Sequence, residues 1–382
     1  MAQEPQVKIV IAGVDEFSKV YSTIGKNLVA FGDRASAVAN SFLLKVGAPF
    51  ALLTKTAVNT GATFEKAMIR TKFLTGLVGK EFDAVKEKMM AAEFTPLFGA
   101  TEDAENLNKF IQFGWNYADS LLGIEQAAAM ATSAQTDLAT ASDVLLSSIE
   151  AFKMSPQQSA MMADYLVSST IRGAADMTTM GESIKQALVP WAGGGATFQE
   201  VMAMLDAGIK AKIPAASMGV VVRNLNKSLT APTGVSNEIL EELARGYGLR
   251  AKDDKGNVTN PLVFLKRLAE IFEQEKMGSA SINNVLTRLF DAESVVGTKA
   301  IMDYVKSGRA DQFIASMNRD VGVATRGSKA MAEGADAAKK KMLNAFEAMK
   351  IRLFDSGLGD TVVRFFDGFA KLFERLGRAI KA

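Results

Sequence analysis

The sequence of 382 residues contains no cysteine and no histidine. Without cysteine it can form no disulfide, thiolate zinc site, iron–sulfur cluster or Cys nucleophile. Without histidine it can have neither a Ser-His-Asp triad nor an imidazole general base or metal ligand. The chain also has little excess charge, because its 44 Lys and Arg residues and 42 Asp and Glu residues give a net charge of +2. Nucleic-acid-binding domains are usually far more basic, so we expect no specific nucleic-acid partner.

Long uncharged runs are missing as well. The start, MAQEPQVKIV, carries two charged residues and a proline before any apolar run, so we expect no secretory signal there. The longest uncharged stretch, 186–199, has fourteen residues and is interrupted by Pro190 and the glycines 193–195. A membrane-spanning helix needs about 20 predominantly apolar residues. We therefore expect no membrane-spanning helix.

What the sequence does have is helical periodicity. Only Val7, Ile9 and Ile11 alternate like a strand, whereas from Asp15 onward apolar residues recur every three or four positions. Four segments begin with residues typical of helix N-termini: Thr63, Ser155-Pro156, Thr197 to Glu200 and Asn260-Pro261. We count about a dozen helices with connectors of ordinary length. The predicted fold is an all-α multi-helix bundle with a short N-terminal strand or arm and a long amphipathic C-terminal helix.

Three regions follow from this pattern. We expect an N-terminal arm and helix at 1–60, a helical core at 61–308 and amphipathic C-terminal helices at 309–382. The last helix has apolar residues at helical spacing opposite a mainly basic face: Val362, Phe365, Phe366, Phe369, Leu372, Phe373, Leu376 and Ile380. Such a stripe favours packing against another helix, although it also fits an interfacial membrane helix.

Candidate chemistry is sparse. The acidic pair Glu241-Glu242 is expected on a helix surface, and Asp253-Asp254 in a polar turn or small hairpin at 249–258. That turn lacks the alternating oxygen ligands and distal glutamate of a calcium loop. The glycines 193–195 before Thr197 could cradle a phosphate, but the Walker lysine is absent and a flexible joint between helices is the favoured interpretation. We therefore predict no catalytic residue, no cofactor site, no metal site and no enzyme.

From Gly123 to Phe272 the sequence resembles the core region of tailed-phage tail tape measure proteins. The helix MGESI at 180–184 is similar to the family's "lgeal" helix, Ala207-Gly208-Ile209 to its "aGi" turn, and Asp164 to an aspartate-led helix. Further upstream, FEKAM at 64–68 is similar to the family's "FE--M" entry. The family's "Gt-lr" helix and its closing "l-P" are matched by Gly219, Val222, Arg223, Leu229 and Pro232. Roughly two thirds of the chain takes part in this resemblance.

The chain departs from the family at three points. Val220 stands where threonine is usual, and Phe290 to Glu293 stand where a glycine-rich "FG" turn is common. Family members are also commonly much longer. The departure at Phe290 to Glu293 means that the resemblance does not predict the conformation of this loop.

The resemblance implies a structural virion protein that sets tail length inside the tail tube and is expelled at genome ejection. The implied partners are other copies of the chain, the tail tube protein, tail assembly chaperones and baseplate or tail-tip proteins, with possible host membrane contact through the C-terminal helix. Its implied location is the virion tail lumen, preceded by the host cytoplasm during assembly. Two alternatives stay open: a membrane-active, pore-forming helical protein, and the ruler of a non-phage contractile injection system.

Overall fold

The computed structural model describes residues 48–91, 94–173, 175–187 and 195–356. Within these ranges the chain forms sixteen α-helices and no strand beyond one isolated bridge, which confirms the predicted all-α class. The predicted N-terminal strand and the amphipathic helix at 362–380 lie outside the described ranges.

The helices follow one another with short connections. They are α1 Ala48–Thr75, α2 Gly79–Met89, α3 Ala100–Gln112, α4 Tyr117–Ser133, α5 Leu138–Ala151, α6 Ser159–Arg172, α7 Met177–Ala187, α8 Phe198–Lys210, α9 Ala215–Thr230, α10 Val235–Tyr247, α11 Pro261–Gln274, α12 Ser279–Phe290, α13 Val295–Lys306, α14 Arg309–Arg319, α15 Val323–Met331 and α16 Ala335–Asp355. Short 3-10 turns precede α6 at Pro156–Gln158 and α13 at Ala292–Ser294.

Most of the predicted helix starts are confirmed. Thr197 and Glu200 form a reciprocal capping box at the start of α8. Asn260 accepts hydrogen bonds from the amides of Leu262 and Val263, and Pro261 is the first residue of α11. The Ser155-Pro156 signal opens the 3-10 turn that leads into α6. Each cap satisfies backbone N–H groups that the first turn of a helix leaves without a partner.

The start predicted at Thr63 is wrong. Helix α1 begins at Ala48, has Pro49 in its first turn and continues through Thr63 to Thr75. Proline is tolerated in a first turn because the N–H it lacks has no intrahelical partner there. A threonine's preference for capping positions is only a weak local signal, which burial along a helix readily overrides.

The chain divides into two compact units, 1–62 with 350–382, and 63–349. In the described part of the smaller unit, Ala57 and Ile351 are fully buried. Gly61 lies so close to the ring of Phe354 that a side chain at this position would overlap it.

Helix α8 is at the centre of the larger unit. It packs against α9, α13 and α14, and every residue from Val201 to Gly208 is buried. Helix α4 is a second centre, in contact with α3, α5, α6 and α15. Around these two helices the bundle closes through the pairs α7 with α9, α10 with α12 and α11 with α13.

Gly219 allows α7 and α9 to approach closely. A Cβ atom at this position would lie 2.4 Å from the carbonyl oxygen of Ser183 on α7. The Ser183 hydroxyl in turn donates a hydrogen bond to the carbonyl of Ala215 at the start of α9. This glycine, one of those that carry the family resemblance, is therefore required by backbone-to-backbone packing.

The segments that the resemblance presents as a turn and as a helix start both lie within helices. Residues Ala207–Ile209 belong to the last turn of α8, and the chain turns only afterwards, where Lys212 has φ of 64°. Asp164 lies within α6, which begins at Ser159, and its carboxylate caps a different helix instead. The local sequence around Asp164 could not predict this partner, because Gly322 lies 158 residues away.

The loop where the chain departs from the family contains a strained residue. Asp291 adopts φ of 69° and ψ of 154°, a conformation that is nearly restricted to glycine. The family's "FG" turn would place a glycine in this stretch, so the departure has a cost in backbone energy.

We therefore expect Asp291→Gly to raise the free energy of unfolding by about 1 kcal/mol, because glycine adopts this conformation without strain. Urea unfolding of both chains measures the change. Asp303→Gly, at an exposed position inside α13, is the matched control and should be destabilising by roughly 0.5 kcal/mol through helix propensity. Destabilisation by both substitutions would contradict strain at Asp291.

Candidate functional site

Three buried polar clusters are the most unusual feature of the larger unit, because acidic residues are rarely buried without partners. The first surrounds Asp206 on α8, the second Asp164 on α6 and the third Asp103 on α3. All three aspartates are at most 8% exposed. Each cluster contains side chains from helices that are far apart in sequence.

The Asp206 cluster joins α8 to α13. The Tyr304 hydroxyl donates a hydrogen bond of 2.6 Å to Asp206 Oδ2, and Lys210 Nζ lies 2.6 Å from the same oxygen. Lys210 also donates to the Tyr304 hydroxyl at 3.2 Å. Burial, with the added effect of the Asp206 carboxylate, raises the pKa of Tyr304. The tyrosine is therefore held as a neutral donor to a paired carboxylate.

Two cations lie near the ring of Tyr304. Lys210 Nζ lies 5.3 Å from the centre of its ring, and the Arg309 guanidinium lies 5.0 Å from it. Arg309 belongs to α14, so the contact extends the cluster to a third helix. Such contacts add roughly 0.5–2 kcal/mol, with the larger values where water is excluded.

The Asp164 cluster holds α15 against α6. The Asp164 carboxylate accepts hydrogen bonds from the amides of Gly322, at 2.6 Å, and Ala324, at 3.0 Å. These amides lie at the N-terminus of α15, where a negative charge is favoured by the helix dipole. Close by, the Ser133 hydroxyl of α4 donates to the carbonyl of Ala324. The aspartate thus caps a helix from outside its own segment.

Asp320 strengthens the same junction. Its carboxylate accepts hydrogen bonds from the Arg172 guanidinium at 3.2 and 3.1 Å and from the Ser168 hydroxyl at 2.6 Å. The hydrogen bond from Arg172 is the main cause that lowers the pKa of Asp320 below its usual range. The two aspartates therefore attach the chain around the α14–α15 connection to α6.

The Asp103 cluster differs because, in the described part of the chain, no cation acts on its carboxyl group. The Thr95 hydroxyl donates a hydrogen bond to Oδ2, while Oδ1 has no hydrogen-bond partner among the residues that the structure describes. Burial raises the pKa of Asp103 to about 8, and the neighbouring carboxylates Glu102 and Glu347 act in the same direction. Asp103 is therefore largely neutral at pH 7.

The candidates noted in the sequence stay apart from these clusters. Glu241 and Glu242 lie exposed on α10. Asp253 closes a small hairpin, as expected, by accepting from the amides of Lys255 and Asn257, beside a bridge between Lys252 and Val258. Its pKa is lowered by the hydrogen bond from the Asn257 side chain.

Of the three glycines, only Gly195 falls in the described part of the chain. It has φ of 75°, and a Cβ atom there would lie 2.5 Å from the carbonyl oxygen of Val258. Glycine is thus needed to let this backbone pass the hairpin. The expectation that no phosphate binds here stays a prediction.

Sequence reasoning missed the three buried aspartates, because hydropathy places acidic residues at the surface. One local signal existed for Asp206, since Lys210 follows it by one helical turn. Asp164 has its partners on a helix far away in sequence, and Asp103 is affected by Glu347 of α16, which no local pattern shows.

In residues 48–356, as far as they are described, no group of three or more acidic side chains is arranged to hold a metal ion. No helix in those ranges is long and apolar enough to cross a membrane. The prediction that the chain has no catalytic, cofactor or metal residue stays a prediction. What the clusters do is join helices, so the described part of the chain is an all-helical bundle.

Comparison with known proteins places this helical protein in a family. Residues 88–291, more than half of the chain, match the model of the phage-related minor tail proteins. The chain therefore belongs to the family of phage minor tail and tape measure proteins, as the resemblance in its sequence predicted.

Two relatives are distant in sequence. The probable tape measure protein of Escherichia phage P2 is 26% identical over 216 residues, which cover 56% of this chain and 26% of that protein. The tape measure protein of Pneumococcus phage Dp-1 is 21% identical over 329 residues, 84% of this chain and 27% of that protein. The chain thus spans about a quarter of the length of either relative. No solved structure matches it.

Proposed function

We propose that this chain acts as a tape measure protein: a structural component of the virion that lies in the tail tube, sets tail length during assembly and is expelled at genome ejection. Support comes from the family match over residues 88–291 and from two relatives that bear this name. The entirely helical architecture of the described ranges supports it as well, because a helix has a fixed rise per residue and can serve as a ruler.

A ruler of this kind needs partners. Helix α8 is buried on all sides in the compact fold, so an extended form would expose it to water at about 25 cal/mol for each Å² of apolar surface. We therefore infer that in the tail the helices exchange contacts within one chain for contacts with other copies, the tube protein and assembly chaperones. The 19 methionines suit surfaces that pack against several partners, because their side chains are flexible.

The remaining assignments follow from the same proposal. Baseplate or tail-tip proteins would close the end of the tube, and the C-terminal residues 362–380 would meet the host membrane during ejection. The protein would be located in the host cytoplasm during assembly and in the lumen of the tail afterwards. A net charge of +2 gives no electrostatic reason for specific binding of nucleic acid.

The test is tail length after deletions within the phage genome. Removal of residues 235–290, which contain α10, α11 and α12, should shorten the tail by about 1.5 Å for every residue removed, roughly 80 Å in all. Electron microscopy of purified virions measures the length.

A tandem duplication of the same residues is the matched control and should lengthen the tail by a similar amount. Protein from the measured virions is checked by mass spectrometry, so that the shortened chain is known to be present. Tails of unchanged length that contain the shortened chain would contradict the role as a ruler.

A further inference from the structure

The first part of α16, residues 335–349, makes polar contacts at the N-terminus of α3 and just before it. Glu347 Oε1 accepts hydrogen bonds from the Thr101 amide at 3.1 Å and from the Thr101 hydroxyl at 2.7 Å. The Asn344 side chain donates to the carbonyl of Pro96 at 3.3 Å. Glu347 thereby caps the N-terminus of α3 from a distance of 246 residues in sequence.

Apolar side chains of the same helix face solvent. Met342 is 65% exposed, Leu343 is 51% exposed and Met349 is 45% exposed. Of the residues from 335 to 349 only Ala337 is buried. A segment attached in this way has little buried apolar surface, so its release costs little free energy.

Asp103 is buried two residues along α3 from Thr101, whose amide and hydroxyl Glu347 caps. It belongs to the first turn of α3, together with Glu102 and Thr101. The charged groups that act on its carboxyl group are Glu102, from α3 itself, and Glu347, from α16. Burial raises the pKa of Glu102, and the Leu138 amide of α5, Asp137, Glu347 and Lys340 also act on it. Asp103 and Glu347 thus meet at the N-terminus of α3, whereas the Glu102 carboxyl group reaches the N-terminus of α5.

A single helix N-terminus carries a partial positive charge of only about half an elementary charge. It can favour one carboxylate, and in the docked state this is Glu347, which accepts both Thr101 hydrogen bonds. Asp103 avoids the conflict as long as it is neutral. When it loses its proton, its charge is buried, has one oxygen without a partner and repels Glu347.

Two responses could relieve this conflict: water could enter around Asp103, or Glu347 could leave. Departure of Glu347 removes the like charge. It also opens the N-terminus of α3 to solvent, so that water can reach Asp103. The described contacts that its departure breaks are the hydrogen bonds to Thr101.

We propose that ionisation of Asp103 releases residues 335–349 of α16 from the N-terminus of α3, so that the Asp103 carboxyl group works as a pH-controlled latch. Neutral Asp103 allows Glu347 to cap α3, and charged Asp103 repels it. Because the pKa of Asp103 is about 8, the latch opens slightly above neutral pH. Opening separates the segment that carries the exposed Met342, Leu343 and Met349 from α3.

The absence of cysteine makes this measurable by spin labelling, since two introduced cysteines are the only thiols. Glu105→Cys on α3 and Met342→Cys on α16 are both at exposed positions. We expect one short distance between the labels at pH 6 and its loss at pH 9.5, with at least a tenfold fall in the short-distance population and a midpoint near pH 8. An unchanged distance distribution from pH 6 to pH 9.5 would overturn the proposal.

Three variants in the labelled background identify the responsible group. Asp103→Asn cannot ionise and should stay docked at pH 9.5. Asp311→Asn, which removes an exposed first-turn acid of α14, should open as the parent does. Glu347→Gln keeps an oxygen acceptor without the charge, and should also stay docked at pH 9.5, which tests the latch even if Asp103→Asn does not fold. Opening of both Asp103→Asn and Glu347→Gln with the parent's midpoint would refute a role for these carboxyl groups.

Discussion

At pH 8, Asp103→Asn is expected to be more stable than the parent chain by up to about 5 kcal/mol, and the difference should vanish near pH 4. The pKa of Asp103 rises from 3.8 to about 8 on folding. Between these values the folded chain holds a proton that the unfolded chain has released, so stability falls as pH rises through this window. Asparagine has the shape of the neutral acid and never carries the charge.

Urea unfolding of both chains at pH 4, 6 and 8 measures this difference. If the latch opens, part of the strain is relieved without unfolding, and the gap at pH 8 will be smaller than the upper value. Asp311→Asn should follow the parent chain at all three pH values. A gap of equal size at pH 4 and pH 8 would show that Asp103 does not titrate as its surroundings imply.

Gly219→Ala is the second substitution with a large expected effect. It should lower the free energy of unfolding by about 2 kcal/mol or more, although alanine favours helices over glycine by roughly 1 kcal/mol. The new Cβ atom would lie 2.4 Å from a backbone oxygen of α7, which cannot move without the whole helix. Overlap with the backbone therefore outweighs propensity.

Gly246→Ala is the control with the opposite sign. Gly246 lies in α10, and a Cβ atom there meets nothing within 4 Å, so alanine should be stabilising by about 0.5–1 kcal/mol. Gly208→Ala should be milder than Gly219→Ala, because its nearest neighbour is the flexible end of Met218. Thermal unfolding of the three variants gives this order. Equal losses at Gly219 and Gly208 would argue against a rigid contact.

Much of the fold could be predicted from the sequence because helices are local structures. The caps at Thr197 and Asn260 accept hydrogen bonds from amides in the same helical turn. Each interaction therefore involves only residues that are neighbours in the sequence. Apolar residues at steps of three and four identify buried faces in the same way. The helix start predicted at Thr63 was wrong because the local preference of threonine competes with the packing of a long helix.

The clusters could not be predicted from the sequence, for a different reason. Asp164, Asp103 and Asp206 look like surface residues until their distant partners are known. Asp164 needs the amides of Gly322 and Ala324, and Asp103 is affected by Glu347. Sequence periodicity contains no information on such pairs. The family resemblance did not supply it either, since it placed Asp164 at the start of a helix.

The cap that Asp164 provides for α15 also sets an order of events while the ribosome makes the chain. Asp164 emerges 158 residues before Gly322, an interval of about 8 to 30 s at ordinary rates of translation. Throughout that time the sides of α4 and α6 that receive α15 are uncovered on the nascent polypeptide. The surface of α4 and α6 that binds α15 is therefore synthesised well before α15 itself.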